Sequence, residues 1–266
     1  MILTHIGGPT VLIETDGWRL VTDPTFDPPG ERYSFGWGSS SVKLTGPALS
    51  VADVGPVDVV LLTHDHHGDN LDVAGRGLLS SAGTVVTTMP GARRLGSVRG
   101  LGPVRGLAAG ATTVLPGDGT RPSLSVTATP ARHGPPLSRP IVGDVVGFAL
   151  RRSESEPVLL WITGDTVLYG PLRQAAASLA VDVALVHVGG VRFGITGPLR
   201  YTMTGRDAVS LIGALRPRVA VPVHYEGWSH FADGPAGLDA ALAAAPDDVR
   251  ARVRRLTLGE PASVTD

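Results

Sequence analysis

One short segment of this sequence concentrates the residue types that bind and use metal ions. Residues 63–72 read THDHHGDNLD, so three histidines and three aspartates fall within nine positions, directly after an apolar run over 57–62. His64 and His66 are two residues apart, and in an extended segment both imidazoles point the same way and can bind one cation. Asp69 lies just beyond and can serve a second cation. A lone histidine is usually structural, but this density predicts a metal site.

Further candidate ligands stand at the ends of other predicted strands. His133 follows a β-branched run in the segment TPARHGP, Asp165 lies in TGDT after another run, and His224 ends the segment VPVH. A rigid sheet can aim such side chains into a shared cleft. Each one alone fits an ordinary turn residue or helix cap. Together they predict a metal centre assembled from several strand ends.

The elements that must position these residues are mostly strands. Short β-branched runs separated by turn residues predict strands over 10–15, 18–23, 57–63, 83–88, 123–129, 145–151, 157–163, 181–187 and 218–223. Apolar residues at helical spacing predict surface helices around 208–215 and 238–245, and a shorter helix is predicted over 171–179. Thr204 and Asp207 form the pattern of a capping box before the first of these helices.

The composition fits one large domain spanning 1–266 and restricts its chemistry. Of the 266 residues 42% are hydrophobic and 18% charged, and 35 glycines with 22 prolines indicate many tight turns. The formal net charge of -1 argues against nucleic acid or an anionic membrane as a partner. The absence of cysteine leaves histidine and carboxylate as metal ligands. Without a signal peptide or a membrane-spanning apolar run, we expect a cytoplasmic protein, and its oligomeric state stays open.

The segment 24–56 lacks clear periodicity. It carries the aromatic residues Phe26, Tyr33, Phe35 and Trp37 among glycine, serine and proline. A loop of this length is unusual inside a compact domain unless it closes over a site. Two interpretations stay open, a substrate lid and an irregular surface flap packed by its own aromatics.

The order and wording of these motifs resemble the metallo-β-lactamase superfamily. The resemblance is to its branch of small bacterial hydrolases that includes the ascorbate-6-phosphate lactonase and the N-acyl-phosphatidylethanolamine phospholipase D relatives. It begins with Thr22-Asp-Pro24 and runs through the histidine motif, the Pro-Ala-x-His segment, the Gly-Asp-Thr turn and the final Pro-Val-His. The resemblance implies an α/β (α+β) fold, an αββα sandwich of two mixed sheets faced by helices, with the metal cleft at one edge.

Carried over position by position, the resemblance implies two metal sites. His64, His66 and His133 would bind the first metal. Asp69 and His224 would bind the second, and Asp165 would bridge the two. A water activated by the metals would attack the substrate, and Asp69 would orient it or accept its proton, so Asp69 and Asp165 are the catalytic candidates. Zinc, as one or two ions, is the first choice for these donors, while Mn or Fe stays open.

The histidine motif departs from the family at one point. The motif of relatives is His-x-His-x-Asp-His, whereas in this sequence the aspartate comes one residue later and Asn70 follows it. Aligning Asp69-Asn-Leu-Asp72 with the family's Asp-His-Leu-Asp places a one-residue insertion at His67-Gly68. His67 then either replaces the missing ligand or faces solvent. Since a neutral amide coordinates weakly, the second site is looser, rebuilt around His67, or empty.

Three more residues are candidates for supporting the metals or binding substrate. Asp23 ends a strand before Pro24 and either accepts a hydrogen bond from a ligand histidine, fixing its tautomer, or starts a turn. His187 ends a strand and His230 follows His224, so both are candidate substrate contacts. The alternative for each is a capped or surface histidine.

The resemblance implies a metal-dependent hydrolase that acts on a small-molecule ester, lactone or phosphodiester, since the same cleft serves several bonds in this superfamily. Two alternatives stay open. A mononuclear iron oxidoreductase on the same fold is favoured by the missing second-site histidine, and a metal-dependent nuclease is disfavoured by the neutral charge balance. A binding module without catalysis is disfavoured because the ligand positions are filled.

Overall fold

The computed structural model describes residues 1–36 and 38–265, which form two large β-sheets and a separate hairpin. The strands in chain order are β1 (Ile2–Gly7), β2 (Thr10–Thr15), β3 (Trp18–Thr22), β4 (Arg32–Gly36), β5 (Ser39–Val42), β6 (Val59–Leu61), β7 (Thr84–Thr88), β8 (Val104–Leu107), β9 (Thr112–Leu115), β10 (Leu124–Pro130), β11 (Val146–Arg151), β12 (Val158–Ile162), β13 (Val181–His187), β14 (Val219–Val223) and β15 (Ala262–Ser263). The first sheet has the order β15-β1-β2-β3-β6-β7-β8 and the second β14-β13-β12-β11-β10-β9, while β4 pairs with β5.

Helices cover the outer face of each sheet. They are α1 (Val51–Val54), α2 (Val73–Leu79), α3 (Met89–Leu95), α4 (Arg139–Val142), α5 (Gly170–Ser178), α6 (Gly205–Leu215), α7 (Gly234–Ala243) and α8 (Asp247–Arg250), with a 3-10 turn at Gly194–Thr196. Residues of α1, α2 and α3 pack on the first sheet, and residues of α5, α6 and α7 pack on the second. A further apolar cluster lies between the sheets. The predicted αββα sandwich is confirmed.

Alternating side chains let one strand serve two layers. In β2, Val11 and Ile13 lie in the core between the sheets, whereas Leu12 packs under the helices of the first sheet. In β13, Leu185 lies between the sheets and Val186 under the helices of the second. Successive strand residues point to opposite faces, so a strand covered on both sides must be apolar throughout. Each such side chain contributes about 1.5–3 kcal/mol when fully buried.

The elements predicted from periodicity are confirmed, and several others were missed. Each predicted strand corresponds to an observed one, and the three predicted helices are α5, α6 and α7. The Thr204 and Asp207 capping box is also confirmed, because each side chain accepts the backbone N–H of the other. The sequence did not indicate β1, β8, β9, α2 or α3. In α2 two glycines weaken the helical signal. None of the helices within residues 1–36 and 38–265 has the length and apolar character needed to cross a membrane.

The segment 24–56 contains more regular structure than its sequence indicated. Its middle is the hairpin of β4 and β5, and its end is α1. Phe26 and Phe35 are buried, and Tyr33 lies edge-on against Trp228 with ring centroids 5.0 Å apart. Trp37, another aromatic residue on which the lid prediction rests, lies outside the described residues. The described aromatic side chains of the hairpin therefore pack on the body of the domain.

A buried charge network anchors this hairpin. Lys43, the one lysine of the sequence, directly follows β5, and its Nζ donates to Asp72 Oδ2 at 2.9 Å with both side chains buried. Asp72 also accepts the backbone N–H of Asp27 at 2.7 Å and that of Gly75 at 2.8 Å, which caps α2. Asp27 in turn accepts a hydrogen bond of 2.6 Å from the Tyr33 hydroxyl. The network ties both ends of the hairpin to the start of α2.

We expect Lys43→Met to lower the free energy of unfolding by about 3–5 kcal/mol, because it leaves Asp72 as a buried carboxylate without its counter-charge. Adding Asp72→Asn should recover part of this loss, since asparagine keeps an oxygen to cap α2 and carries no charge. Urea unfolding of the wild type and both variants, followed by circular dichroism, measures the effect. A double variant no more stable than the single one would contradict the role given to this ion pair.

Candidate metal centre

The candidate residues lie at one edge of the sandwich, where strands of the same direction end. In the second sheet β12, β13 and β14 are parallel, and Asp165 and His224 follow two of them. Two antiparallel pairings relate β10 to β12, so β10 runs in the same direction, and His133 follows it. In the first sheet the parallel strands β3 and β6 precede Asp23 and His64. The carboxyl ends of such strands meet at one edge, which brings residues distant in sequence together.

Two of these residues have backbone conformations that side chains other than glycine seldom adopt. The φ angle is 32° at Asp23 and 59° at His224. Such conformations cost of order 1–3 kcal/mol each and persist where the surrounding structure enforces them, most often at functional sites. The strain at two strand ends therefore marks this edge of the sandwich as the functional one.

Three imidazoles converge in a first cluster. His67 Nδ1 lies 3.2 Å from His64 Nε2 and 3.2 Å from His133 Nε2. Burial lowers the pKa of His64 and His67 well below the ordinary value and that of His133 to about 4, so the three rings are neutral near pH 7. Zinc–nitrogen bonds of about 2.0–2.1 Å in a tetrahedral site place ligand nitrogens ~3.3 Å apart. The observed spacing fits one shared cation.

Hydrogen bonds to Nδ1 of His64 and of His133 determine which ring nitrogen of each histidine is available to bind a metal. His133 Nδ1 donates to the Tyr201 carbonyl at 2.8 Å. The Thr63 hydroxyl donates to Asp23 at 3.0 Å and accepts from His64 Nδ1 at 3.0 Å. With Nδ1 protonated in both histidines, their Nε2 lone pairs face the cluster, as metal ligation requires. Asp23 lies within hydrogen-bond reach of His64 only through Thr63, so its contact with a candidate ligand is indirect.

His66 is oriented differently from His67. Its Nε2 hydrogen bonds to the backbone carbonyl of Val142, its side chain is 22% exposed, and its Nδ1 has no hydrogen-bond partner among residues 1–36 and 38–265. A ring nitrogen of His66 still lies within 4.8 Å of those of His64 and His67. The strand β6 ends at Leu61 and the chain then bends, so strand alternation no longer governs this segment. His67 is buried at 5% exposure, which excludes the solvent-facing alternative.

A second cluster combines carboxylates with an imidazole. His224 Nε2 lies 3.2 Å from Asp165 Oδ2 and 3.5 Å from Asp69 Oδ2. Asp165 also has an oxygen within 4.8 Å of nitrogens of His64 and His133, so it stands between the two clusters. Burial alone would lower the pKa of His224, but the two carboxylates raise it to about 9.

The carboxylates at this edge of the sandwich are almost completely removed from solvent. Asp23, Asp69 and Asp165 are all 2% exposed or less. Burial raises the pKa of Asp165 to about 6 and that of Asp23 to about 7. For Asp69 burial acts in the same direction, but hydrogen bonds from two histidines outweigh it and lower the pKa. Such a concentration of buried carboxyl groups favours binding of a cation.

Asn70 contacts both carboxylates of this cluster. With its amide nitrogen turned towards them, it donates to Asp165 Oδ2 and to Asp69 Oδ1, each at 3.2 Å. Asp165 Oδ1 has no hydrogen-bond partner among residues 1–36 and 38–265 although it is buried. A buried carboxylate oxygen without a partner is costly unless a proton or a cation satisfies it. The oxygen is therefore a candidate metal ligand.

The two histidines predicted to contact substrate occupy different places. His230 Nε2 lies 2.9 Å from Asp69 Oδ2, and its Nδ1 accepts a hydrogen bond of 2.6 Å from Ser41 of β5. It therefore holds Asp69 and links it to the hairpin. His187 is fully buried, with its Nε2 3.5 Å from Asp23 Oδ2, and burial lowers its pKa to about 3. This depth does not favour direct contact between His187 and a substrate.

A cavity of about 540 Å³ opens onto the first cluster. His67 and His133 line it, together with residues of the hairpin, of α4 and of the segment 193–201. The Phe35 ring of β4 lies with its centroid 5.2 Å from that of His67 and 4.9 Å from that of His230. The hairpin thus forms one wall of the space through which a substrate would approach.

Several supporting residues were not identified from the sequence. Tyr201 contributes its backbone carbonyl, a role that the residue type does not indicate. Thr63 directly precedes His64, and its hydroxyl could have been identified from the sequence as a hydrogen-bond partner. The motif also contains aspartates that do not face the clusters. Asp65 accepts a hydrogen bond of 2.8 Å from Arg94 Nε, and Asp72 belongs to the hairpin anchor.

Comparison with known proteins agrees with this geometry. The family model for the beta-lactamase superfamily domain matches residues 18–225. A UPF0173 metal-dependent hydrolase of Caldivirga maquilingensis is 25% identical over 233 residues, which cover 88% of this chain and 86% of that protein. Among solved structures, a possible metal-dependent hydrolase from Veillonella parvula has a TM-score of 0.81 at 19% identity, covering 98% of each chain. An isothiocyanate hydrolase from Delia radicum gut bacteria has a TM-score of 0.79 at 20% identity, covering 99% of each chain.

The matched region contains the histidine motif, both clusters and most of the two large sheets. The candidate ligands lie at the strand ends where the sandwich positions them, and groups of buried histidine and aspartate there are close enough to bind metal ions. The chain belongs to the metallo-β-lactamase superfamily, and it is a metal-dependent hydrolase of that superfamily.

Proposed function

We propose that the first metal is bound by His64, His67 and His133. The observation that carries this proposal is the approach of His67 Nδ1 to within 3.2 Å of both other Nε2 atoms. The spacing from His67 to Asp69 then reproduces the His-x-Asp part of the family motif, and the added residue lies between His64 and His67. Zinc remains the first choice for three neutral imidazoles, with Mn or Fe as alternatives.

The second metal would be bound by Asp69, Asp165 and His224, with Asp165 shared between the sites. The unpartnered Asp165 Oδ1 and the short distances within this group support the assignment. Asn70 donates hydrogen bonds to the two carboxylates and is a weaker donor to a metal than the imidazole of relatives. The second site is therefore expected to bind its ion more weakly than the first.

The reaction proposed is hydrolysis of a small ester, lactone or phosphodiester. Metals bound here would supply a hydroxide nucleophile near neutral pH and polarise the bond to be cleaved. Asp69, which contacts His230 at 2.9 Å, would accept a proton from the attacking water. Asp23 and Thr63 hold His64 in one tautomer. Membership of the branch with the lactonase and phospholipase D relatives stays a prediction.

We expect His67→Ala to lose the first metal and His66→Ala to retain it. His67 directs a nitrogen into the first cluster, whereas the Nε2 of His66 is engaged by the Val142 carbonyl. Loss of a direct ligand should weaken binding by more than the about 10–100-fold that loss of a supporting hydrogen bond causes. Elemental analysis after dialysis, with circular dichroism to verify folding, measures this. Loss of metal from His66→Ala alone would restore the assignment of His66 as the ligand.

Thr63→Val should weaken metal binding by about 10–100-fold, because it removes the hydroxyl that links Asp23 to His64 while preserving side-chain shape. Thr4→Val is the matched control. The Thr4 hydroxyl is also buried, but it has no hydrogen-bond partner among residues 1–36 and 38–265. Competition with a chromophoric chelator gives the affinity of each protein. Equal affinities for Thr63→Val and the wild type would remove Thr63 from the site.

Turnover by metal-loaded protein tests the hydrolase assignment. The panel contains p-nitrophenyl esters, a lactone, bis(p-nitrophenyl) phosphate and, because a hydrolase of similar fold acts on one, an isothiocyanate. Asp165→Ala should lower turnover by about 10²-fold or more, the scale on which one preorganised electrostatic group acts. Asp118→Ala, which changes an exposed turn, is the control. Turnover that survives both a chelator and Asp165→Ala would refute the mechanism.

A further inference from the structure

The walls of the 540 Å³ cavity above the first cluster are apolar and uncharged. Six of the side chains that line it are Phe35, Ile141, Phe193, Ile195, Leu199 and Tyr201. Among the described residues that line it there is no arginine, lysine, aspartate or glutamate, and the polar side chains are serine, threonine, Tyr201 and the two histidines of the cluster. A substrate charge held against these walls, away from the histidines, would lose its hydration without gaining a counter-charge.

The mouth of this cavity is also apolar. Ile141, Ile195 and Leu199 are 45%, 67% and 44% exposed, although all three line the cavity. Leu137 nearby, in the wall of an adjoining cavity that shares His133, is 94% exposed with a φ of 69°. Large apolar side chains exposed together around one opening indicate a ligand-binding surface, since scattered ones carry no such meaning.

Charged groups are present beside the cavity but are directed elsewhere. Arg139, in the wall of the adjoining cavity, forms an ion pair with Asp144. Arg192 lines a third, polar cavity of about 250 Å³ that shares Ser39, Phe193 and Ile195 with the apolar one. An anionic group would therefore be drawn to the Arg192 side and away from the apolar cavity. The apolar cavity therefore favours uncharged groups, whereas the Arg192 cavity favours anionic ones.

We infer that this cavity binds the apolar alkyl or aryl group of a small uncharged substrate, placing its scissile bond at the first cluster. The inference rests on the proposed function for the identity of the reacting site and adds the substrate class. A cavity of this volume lies within the range that holds drug-sized ligands. Substrates that carry a phosphate or carboxylate on the group held by the apolar wall are disfavoured, because nothing in that wall compensates the charge.

A matched ester series tests the substrate class. For p-nitrophenyl esters from acetate to hexanoate we expect kcat/KM to rise about fourfold per methylene until the cavity is filled, as ~0.8 kcal/mol per buried CH₂ implies. The p-nitrophenyl monoester of adipic acid has the hexanoate chain ending in a carboxylate. It should be hydrolysed at least about tenfold less efficiently than the hexanoate. Equal or better hydrolysis of the adipate ester would overturn the inference.

Binding without turnover separates this inference from the proposed function. Calorimetry of metal-loaded protein with acetohydroxamate and hexanohydroxamate should show a Kd that falls with chain length by a similar factor per methylene. Chain-length-dependent binding without hydrolysis of any ester would support the cavity and contradict the reaction. Hydrolysis without chain-length dependence in either assay would support the reaction and contradict the cavity.

Substitution at the cavity mouth provides the specificity readout. Ile195→Asp should raise KM for the hexanoate ester at least about tenfold, while Ile195→Arg should reduce the preference for hexanoate over adipate. Ile195 is 67% exposed, so neither change should unfold the protein. Val98→Asp, at an apolar residue 50% exposed and not among those that line the cavity, is the matched control. Identical specificity in the Ile195 variants and the control would overturn the inference.

Discussion

The candidate site depends on how a set of buried lone pairs is satisfied at one edge of the sandwich. The Nε2 atoms of His64 and His133 both face His67 Nδ1 at 3.2 Å, away from bulk water. Neutral imidazole nitrogens that face one another gain most from a shared cation, because hydrogen bonds alone cannot satisfy all of them. The Thr63 hydroxyl and the Tyr201 carbonyl serve this arrangement from behind the rings. The strand ends that carry these histidines and the hydrogen bonds behind the rings hold the lone pairs in this arrangement.

The part of the site that could be predicted from the sequence is the part that regular strands position. His133, Asp165 and His224 each follow an apolar run, and strand direction alone brings such residues to one edge. The same reasoning predicted the long strands and the amphipathic helices, whose hydrophobic periodicity reflects the layers on either side. Short elements with little periodicity, such as the glycine-containing α2, escaped it.

The choice between His66 and His67 could not be made from spacing. Two-residue spacing places side chains on one face only while the chain is extended, and β6 ends at Leu61, before the motif begins. Beyond that point bends determine the direction of each ring, and these depend on long-range contacts such as that of His66 with Val142. Burial favours His67 in the proposed first site, because His67 is enclosed and His66 remains partly exposed.

The hairpin of β4 and β5 within the segment 24–56 likewise could not be predicted from the local sequence pattern. Its strands are short and its anchors, Lys43 to Asp72 and Ser41 to His230, join residues far apart in sequence. The histidine motif therefore contributes both to the second cluster and to the anchor of the hairpin. Asp69 faces the second cluster, and Asp72, three residues later, fixes the hairpin whose Phe35 covers His67. Asp69 and Asp72 lie in one short segment. The position of the hairpin that forms the apolar wall is therefore fixed relative to the candidate metal ligands by the same stretch of backbone.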